Sequence, residues 1–234
     1  MIYKDVGVYN GAGVYNGAGV YNGAGVYNGG GSSFDKDLLA LFYGNLDNGN
    51  TCNYSTLPYT HVSTLNTLLM SSCPLGSQVP CIDATSPNKY AFVEQNIDKS
   101  SFENVTIENF VYGTGSQFRL SALNTYGSMD CSVFYENNLV YFETNGNRTT
   151  YSLNVANKWS HVALEFTDSK VRFFLDGNLI DEKNFVSNSL VARYGVINGS
   201  WFRDYYYCQF ACWKKLLSNG GSSLTPPSSP YMNF

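Results

Sequence analysis

Histidine is the scarcest residue in this sequence that could carry acid–base or nucleophilic chemistry. The chain has two histidines, His61 and His161, so any Ser-His-Asp or Cys-His centre must use one of them. His161 lies inside a strand-like run, "HVALEF" (161–166), and is interpreted as a structural histidine satisfied by backbone groups. His61 lies in "PYTHVSTL" (58–65), a predicted loop or helix start without a catalytic motif. No Gly-x-Ser-x-Gly nucleophile motif occurs.

The carboxylates also lack a catalytic arrangement. All-β glucanases place their acid and nucleophile on one strand face as Glu-x-Asp-x-Glu, and the sequence has no such triplet. Glu165 and Asp168 are three residues apart, which puts them on opposite faces of a strand. Asp181 and Glu182 are adjacent, as is typical of a solvated hairpin end. The sequence therefore predicts that the protein is not an enzyme and has no catalytic residues.

Cysteines are the remaining candidates for metal or redox chemistry. No Cys-x-x-Cys pair occurs, so no metal site or cofactor is predicted. Cys208 and Cys212 are four apart on a predicted strand and are expected on one face, buried in the core. Cys73 and Cys81 flank "PLGSQVP" (74–80) and would close a loop if oxidised. Mostly free thiols are predicted because the start has no apolar leader, with three disulfides as the alternative for a secreted chain. The six are Cys52, Cys73, Cys81, Cys131, Cys208 and Cys212.

Composition excludes some function classes. The 234 residues include 14 Lys and Arg against 18 Asp and Glu, with no basic run, so nucleic-acid binding is not expected. No stretch is apolar and long enough to cross a membrane, so membrane insertion is not expected either. Hydrophobic residues make up 44% and aromatic residues 16%, which fits a packed core. A surface rich in Asn and Ser is typical of an all-β extracellular or virion protein, and synthesis in a cytoplasm is expected if Met1 is the start.

A six-residue repeat fills residues 2–31. Aligned from Ile2, the five copies read IYKDVG, then VYNGAG three times, then VYNGGG. Each copy has a β-branched residue, a tyrosine and a two-residue turn, usually Asn-Gly. Gly does not recur every third residue and six fits no helical period, so collagen and coiled coil are excluded. The pattern predicts a β-solenoid-like or interchain β arrangement with about three hexads to a turn.

Five hexads would then make fewer than two turns, too little to bury a core alone. The segment is therefore predicted to pair with copies of itself or with another protein, as an attachment or oligomerisation segment. A flexible Gly-rich linker is the alternative. The predicted division is repeat 1–31, hinge 32–36 and main domain 37–234. The contact residues would be Ile2, Tyr3, Val8, Tyr9, Val14, Tyr15, Val20, Tyr21, Val26 and Tyr27.

Short strands and tight turns dominate the main domain. Asn-Gly at 145–146 and Asp-Gly at 176–177 predict two hairpins. In "HVALEF", Val162, Leu164 and Phe166 are expected inward and Glu165 outward. "TLNTLLMSS" (64–72) is the one candidate for a short helix, and "YYY" (205–207) is interpreted mainly as core packing. We therefore predict an all-β fold, a two-sheet antiparallel jelly-roll sandwich preceded by an extended β-repeat segment. The main strand-like runs are 105–113, 132–144, 149–155, 161–166, 171–180 and 205–213.

Three stretches carry a family resemblance. "KWSHVALEFTDSKVRFFLDGNLI" (158–180) resembles the signature hairpin of laminin-G-like, concanavalin A-like jelly rolls. "DLLALFYGNLDN" (37–48) resembles their opening strand. Residues 202–231, ending in "TPPSSPY", resemble the closing strand and tail of versions carried on bacteriophage tail and virion fibres. The resemblance covers about residues 35–231 and is weakest over 49–100.

The resemblance implies a noncatalytic module on a virion surface, a fibre or a head or tail decoration protein that binds host-surface glycan or protein. Such fibres are usually trimers, so the implied partners are two further copies of the chain and another virion protein at the N-terminal segment. The alternative is a secreted or cell-surface lectin-like module with a flexible repeat linker. Some laminin-G-like domains bind calcium through Asp side chains and loop carbonyls, and the loop carboxylates of that type here are Asp130, Asp168 and Asp176.

Overall fold

The computed structural model divides the chain into two compact units, Met1–Lys36 and Asp37–Phe234. It describes the backbone of residues 2–3, 7–10, 13–15, 19–22, 25–27, 36–44, 51–55, 59–63, 66–83, 85, 91–98, 103–125, 128–185, 189–195 and 205–231. Side chains are described for residues 36–41, 68–83, 85, 103–118, 120, 131–185 and 205–231. The predicted hinge, 32–36, lies outside the described residues except for its last position. The division into segments 1–31 and 32–36 stays a prediction.

The repeat forms one short strand in each hexad. The five strands are β1 (Ile2–Tyr3), β2 (Gly7–Asn10), β3 (Gly13–Tyr15), β4 (Gly19–Asn22) and β5 (Gly25–Tyr27). Pairing is parallel and joins residues twelve apart, as in Ile2 with Val14 and Val8 with Val20. Two hexads therefore make one turn, and the prediction of three is wrong. Alternate hexads fall into two sheets, β1-β3-β5 and β2-β4.

The second unit is a sandwich of two antiparallel sheets, which confirms the predicted all-β jelly roll. The nine-stranded sheet runs β19-β18-β17-β12-β21-β10-β9, with β6 beside β21 and β7 beside β6. Its strands are β6 (Leu38–Gly44), β7 (Thr51–Ser55), β9 (Asn66–Leu69), β10 (Pro80–Asp83), β12 (Val105–Gly113), β17 (Trp159–Phe166), β18 (Lys170–Leu175), β19 (Asn178–Asn184) and β21 (Tyr205–Trp213). The predicted short helix at 64–72 is wrong: β9 occupies its middle, because it pairs with β10.

The seven-stranded sheet runs β16-β15-β14-β13-β20-β11-β8. Its strands are β8 (Tyr59–Ser63), β11 (Ala91–Asp98), β13 (Gln117–Thr125), β14 (Ser128–Glu136), β15 (Leu139–Thr144), β16 (Asn147–Tyr151) and β20 (Ser189–Gly195). His61 lies in β8, not in a loop, and its side chain is outside the described residues. No helix that could cross a membrane occurs among the residues that the structure describes.

Alternating residues of both sheets form one core, as the hairpin pattern predicted. Val162, Leu164 and Phe166 of β17 are completely buried there. The rings of Phe142 and Phe173, from opposite sheets, have their centroids 5.4 Å apart. The turns at Asn145-Gly146 and Asp176-Gly177 both have positive φ at each residue, which is what two-residue hairpins require.

The C-terminal strap, residues 214–231, packs on the outer face of the nine-stranded sheet over β12, β17 and β18. Leu224 of the strap packs with Ala163 and Phe174, and its amide donates to the Gly177 carbonyl at 2.8 Å. Glu165, which alternation places on that outer face, is completely buried beneath the strap. The sequence predicted the direction of Glu165 correctly. Its burial depends on a segment about fifty residues further along the chain.

Candidate functional site

A row of aromatic side chains crosses the outer face of the nine-stranded sheet. Strand register aligns Tyr112 of β12 with Trp159 of β17 and with Tyr206 of β21. The ring centroids of Tyr112 and Trp159 are 5.6 Å apart, and those of Tyr112 and Tyr206 are 6.3 Å apart. All three side chains are partly exposed. We call Trp159, Tyr112 and Tyr206 the aromatic row.

Polar groups border the aromatic row at both ends. Trp159 Nε1 donates to Ser72 Oγ at 3.2 Å, which fixes the orientation of the indole. On the other side, Asp83 of β10 is the register partner of Tyr206. Asp83 Oδ1 accepts hydrogen bonds from both the amide and the hydroxyl of Thr85, at 2.9 and 2.7 Å. Apolar rings flanked by a few oriented polar groups are typical of small-ligand sites.

Of this row, only Tyr206 was singled out from the sequence, within "YYY" (205–207). Of "YYY" (205–207), Tyr205 and Tyr207 are buried in the core as predicted, and Tyr206 points to the opposite face. Alternation within β12 and β21 was visible in the sequence. The pairing that brings Tyr112 beside Tyr206 was not, because the two residues are far apart in the chain.

A second feature is a polar groove where edge strands of the two sheets meet. The groove encloses about 460 Å³. The Tyr151 hydroxyl donates to Asp181 Oδ2, and Lys183 Nζ donates to the carbonyls of Phe142 and Asn147 at 2.7 and 2.8 Å. Burial has the largest effect on the pKa of Tyr151 and raises it, and the Asp181 carboxylate raises it further. Burial lowers the pKa of Lys183. Asp181 and Glu182 thus lie within β19, rather than at a solvated hairpin end. The groove is lined by Thr144, Asn145, Asn147, Thr149, Asp181, Glu182, Lys183 and Asn184.

His161 has a structural role, but its hydrogen-bond partner differs from the predicted one. Its Nε2 lies 2.9 Å from Glu108 Oε2, so its partner is a buried carboxylate and not the backbone. Trp213 Nε1 and the Tyr231 hydroxyl both donate to Glu108 Oε1, at 2.8 and 2.7 Å. Glu108 is 1% exposed and His161 2% exposed, beneath the strap that ends at Tyr231. These contacts hold the strap on the sheet.

The carboxylates considered for calcium lie in three separate elements. Asp130 lies in β14 and not in a loop, and its side chain is outside the described residues. Asp176 already binds the His161 amide at 2.9 Å and Lys158 Nζ at 3.2 Å, so it stabilises its own hairpin. Asp168 lies in the exposed turn between β17 and β18, beyond the strand that holds Glu165.

Cys208 and Cys212 lie on opposite faces of β21, so the prediction of one face is wrong. The register between β21 and β12 shifts at Gln209, which has φ of +46° and is skipped between the pairs Cys208–Phe110 and Phe210–Asn109. Such a bulge adds one residue to the strand and reverses the alternation beyond it. Cys212 packs in the core, while Cys208 turns outward towards Cys73 and Cys81.

The outward thiols form a buried cluster. Cys73, Cys81 and Cys208 have their sulfur atoms within 4.8 Å of one another, and Cys73 Sγ is 3.0 Å from Cys208 Sγ. Hydrogen bonds from the thiols of Cys208 and Cys81 lower the pKa of Cys73, against the effect of burial. Hydrogen bonds with Cys73 and Cys81, together with burial, raise the pKa of the Cys208 thiol. The five cysteines whose side chains are described, these three with Cys131 and Cys212, are buried and are not joined by disulfides.

The ten predicted attachment residues all lie in β1–β5, the β-branched residue and tyrosine of each hexad. Register stacks Val on Val and Tyr on Tyr in successive turns. Their side chains are outside the described residues. Their role in attachment therefore stays a prediction.

Comparison with known proteins identifies the fold. The sequence matches no protein-family model and no curated protein. The structure is similar to the receptor-binding domain of botulinum neurotoxin mosaic serotype C/D, with a TM-score of 0.55 and 12% identity over 80% of this chain and 49% of that chain. It is also similar to Trypanosoma rangeli sialidase in complex with sialic acid, with a TM-score of 0.59 and 9% identity over 81% of this chain and 32% of that chain.

A third match is the binding domain of botulinum neurotoxin DC in complex with SialylT, with a TM-score of 0.50 and 12% identity over 78% of this chain and 49% of that chain. The chain thus spans about half the length of the toxin domains and about a third of the sialidase. At these identities the matches show that the chain shares the lectin-like β-sandwich fold.

The sialidase match corrects the prediction that the chain is not an enzyme. That prediction treated the jelly roll as a noncatalytic module, and a solved enzyme contains the same sandwich. The fold therefore belongs to enzymes and to binding domains alike, and it assigns the chain to neither class.

Proposed function

We propose that the second unit is a lectin-like module that binds glycan through the aromatic row. The observation that carries the proposal is the alignment of Trp159, Tyr112 and Tyr206 on the outer face of the sheet, beside Asp83. Sugar rings present C–H faces that stack on aromatic rings, and their hydroxyls bind carboxylates and hydroxyls at the border. The toxin binding domain solved with SialylT, which shares the fold, supports the same class of ligand.

We further propose that the protein is a virion fibre or decoration protein, and that the repeat attaches it to another virion protein or joins three copies. In the part of the chain that the structure describes, β1 and β5 each pair on one side, so both ends of the repeat offer an open strand edge. Such edges accept a strand from another chain. Several copies would strengthen a weak glycan contact by multivalency.

Trp159→Ala is expected to weaken glycan binding about thirtyfold or more, because a central aromatic contact of an interface is typically worth about 2 kcal/mol or more. Binding would be measured on a glycan array and then by calorimetry with the best array ligand. Tyr141→Ala is the matched control, since Tyr141 is a partly exposed tyrosine of the seven-stranded sheet and stacks on Phe134 of the neighbouring strand. Equal losses in both variants, or no glycan bound by the wild type, would exclude the aromatic row as a lectin site.

Deleting residues 2–31 is expected to convert a trimer into a monomer, measured as the mass in solution by light scattering. The control keeps the length of the repeat and replaces the β-branched residue and tyrosine of each hexad with serine. It should also be monomeric if strand formation, and not chain length, drives assembly. If the deletion variant instead has the same number of copies per particle as the wild type, the result would support the flexible linker.

A further inference from the structure

Three buried thiols from separate segments meet on the outer face of the nine-stranded sheet. Cys73 belongs to the connection between β9 and β10, Cys81 to β10 and Cys208 to β21. The other two described cysteines, Cys131 and Cys212, lie among apolar side chains of the core. We propose that Cys73, Cys81 and Cys208 bind one thiophilic metal ion, Zn²⁺ or Cu⁺.

The sulfur positions fit a single ion. A Zn–S bond is about 2.3 Å, so two sulfurs on a tetrahedral ion are about 3.8 Å apart. All three sulfurs here lie within 4.8 Å of one another. The Cys73–Cys208 pair, at 3.0 Å, needs to open by about 0.8 Å, which small side-chain rotations supply. Each thiol releases its proton to water as its sulfur bonds the ion, and no oxidant or reductant takes part.

Cys73 lies in a tight turn on the most exposed side of the cluster. In that turn the Gly76 amide donates to the Cys73 carbonyl at 3.1 Å, and Gly76 has φ of +118°. Cys73 is 6% exposed, against 0% for Cys81 and 1% for Cys208, so the ion enters and keeps its open position on the Cys73 side.

A disulfide accounts for the cluster less well. A bond between Cys73 and Cys208 would use two of the three thiols, and the third would have no partner in the reaction. Three thiolates around Zn²⁺ carry a net charge of −1, and around Cu⁺ of −2. Soft thiolate ligands favour both ions over Mg²⁺ or Ca²⁺. The bound ion would tie the 70–79 connection to β21, next to Ser72, which accepts the Trp159 hydrogen bond.

The test uses the full chain, purified under reducing, oxygen-free conditions and freed of metal. Wild type is expected to bind one Zn²⁺, and X-ray absorption of that protein should show three sulfurs at about 2.3 Å. This measurement needs no variant. Co²⁺ in place of Zn²⁺ should give intense thiolate-to-metal charge-transfer absorption.

Single Cys73→Ser, Cys81→Ser and Cys208→Ser substitutions should each weaken Zn²⁺ binding about a hundredfold or more, since even an outer-shell partner is worth ten- to a hundredfold. Cys131→Ala, which removes a core thiol, should leave the affinity unchanged. Displacement of Zn²⁺ by Cu⁺ at the same three thiols would identify Cu⁺ as the preferred ion, and failure to displace would identify Zn²⁺. Two sulfurs or fewer in the absorption spectrum, or unchanged affinity in Cys208→Ser, would overturn the proposal. A Cys73–Cys208 disulfide in protein purified separately without reductant would overturn it as well.

Discussion

Replacing Arg172 with methionine is expected to lower the free energy of unfolding by about 3–5 kcal/mol. Arg172 Nη1 lies 3.1 Å from Glu165 Oε2 and 2.9 Å from Ser218 Oγ, and Glu165 has no exposed surface. Loss of the guanidinium leaves a buried carboxylate without its counter-charge. It also removes the donor that holds the Gly221 carbonyl of the strap. Urea unfolding would measure the change.

Arg148→Met is the matched control. Arg148 Nη2 lies 2.7 Å from Glu143 Oε2, yet the two side chains are 49% and 23% exposed. An exposed pair is worth about 0–1 kcal/mol, so this variant should stay within that range of the wild type. Adding Glu165→Gln to Arg172→Met should restore part of the stability, because the unpaired charge is gone. Equal losses for Arg172→Met and Arg148→Met would show that the buried pair does not hold the strap.

Gly177→Ala should destabilise the domain more than the same change at the other hairpin. Gly177 has φ of +84°, and a Cβ built there would lie 2.6 Å from the Leu224 carbonyl oxygen and 3.1 Å from Pro226 Cδ. A backbone oxygen of the strap cannot give way as the end of a long side chain can. The substitution thus combines left-handed backbone strain, about 1–2 kcal/mol, with displacement of the strap, about 1–3 kcal/mol more.

Gly146→Ala is the control that measures the cost of left-handed backbone strain alone. Gly146 has φ of +77° in the equivalent position of the Asn145-Gly146 turn, and a Cβ there would meet nothing within 4 Å. The difference between the unfolding free energies of the two variants, measured in urea, is the cost of displacing the strap. Hydrogen exchange over 214–231 should rise in Gly177→Ala and not in Gly146→Ala. Identical unfolding free energies would mean that the strap does not pack closely on the turn.

Local patterns predicted the elements of the sandwich well. The run "VTIENFVYG" (105–113) coincides with β12, and both Gly-containing turns form the hairpins expected of them. The inward set of "HVALEF", with Val162 and Leu164, lies in the core. These features depend on the period-two alternation of a strand and on residues that tolerate positive φ, which are properties of neighbouring residues.

The predictions were wrong where a single extra residue changed the alternation of a strand, or where pairing with a distant segment decided the secondary structure. The bulge at Gln209 reverses the alternation of β21, so Cys208 leaves the core that Cys212 enters. The number of hexads in a turn depends on which strands pair, and twelve-residue pairing gives two hexads where the repeat alone favoured three. Within "TLNTLLMSS" (64–72), residues 66–69 form strand β9 and not a helix, because they pair with β10.

The sequence by itself determined the all-β class, the hairpins and the inward faces of the central strands, because alternation and turn chemistry act within a few residues. Only the tertiary structure decided the neighbours of each outward side chain. Tyr112 lies beside Tyr206, and Cys81 beside Cys208, through a strand order that joins segments roughly a hundred residues apart. Glu165 is buried because the strap folds back over the sheet. Contacts between distant segments depend on which edges meet and on where a strand gains an extra residue, and no local pattern in the sequence specifies either.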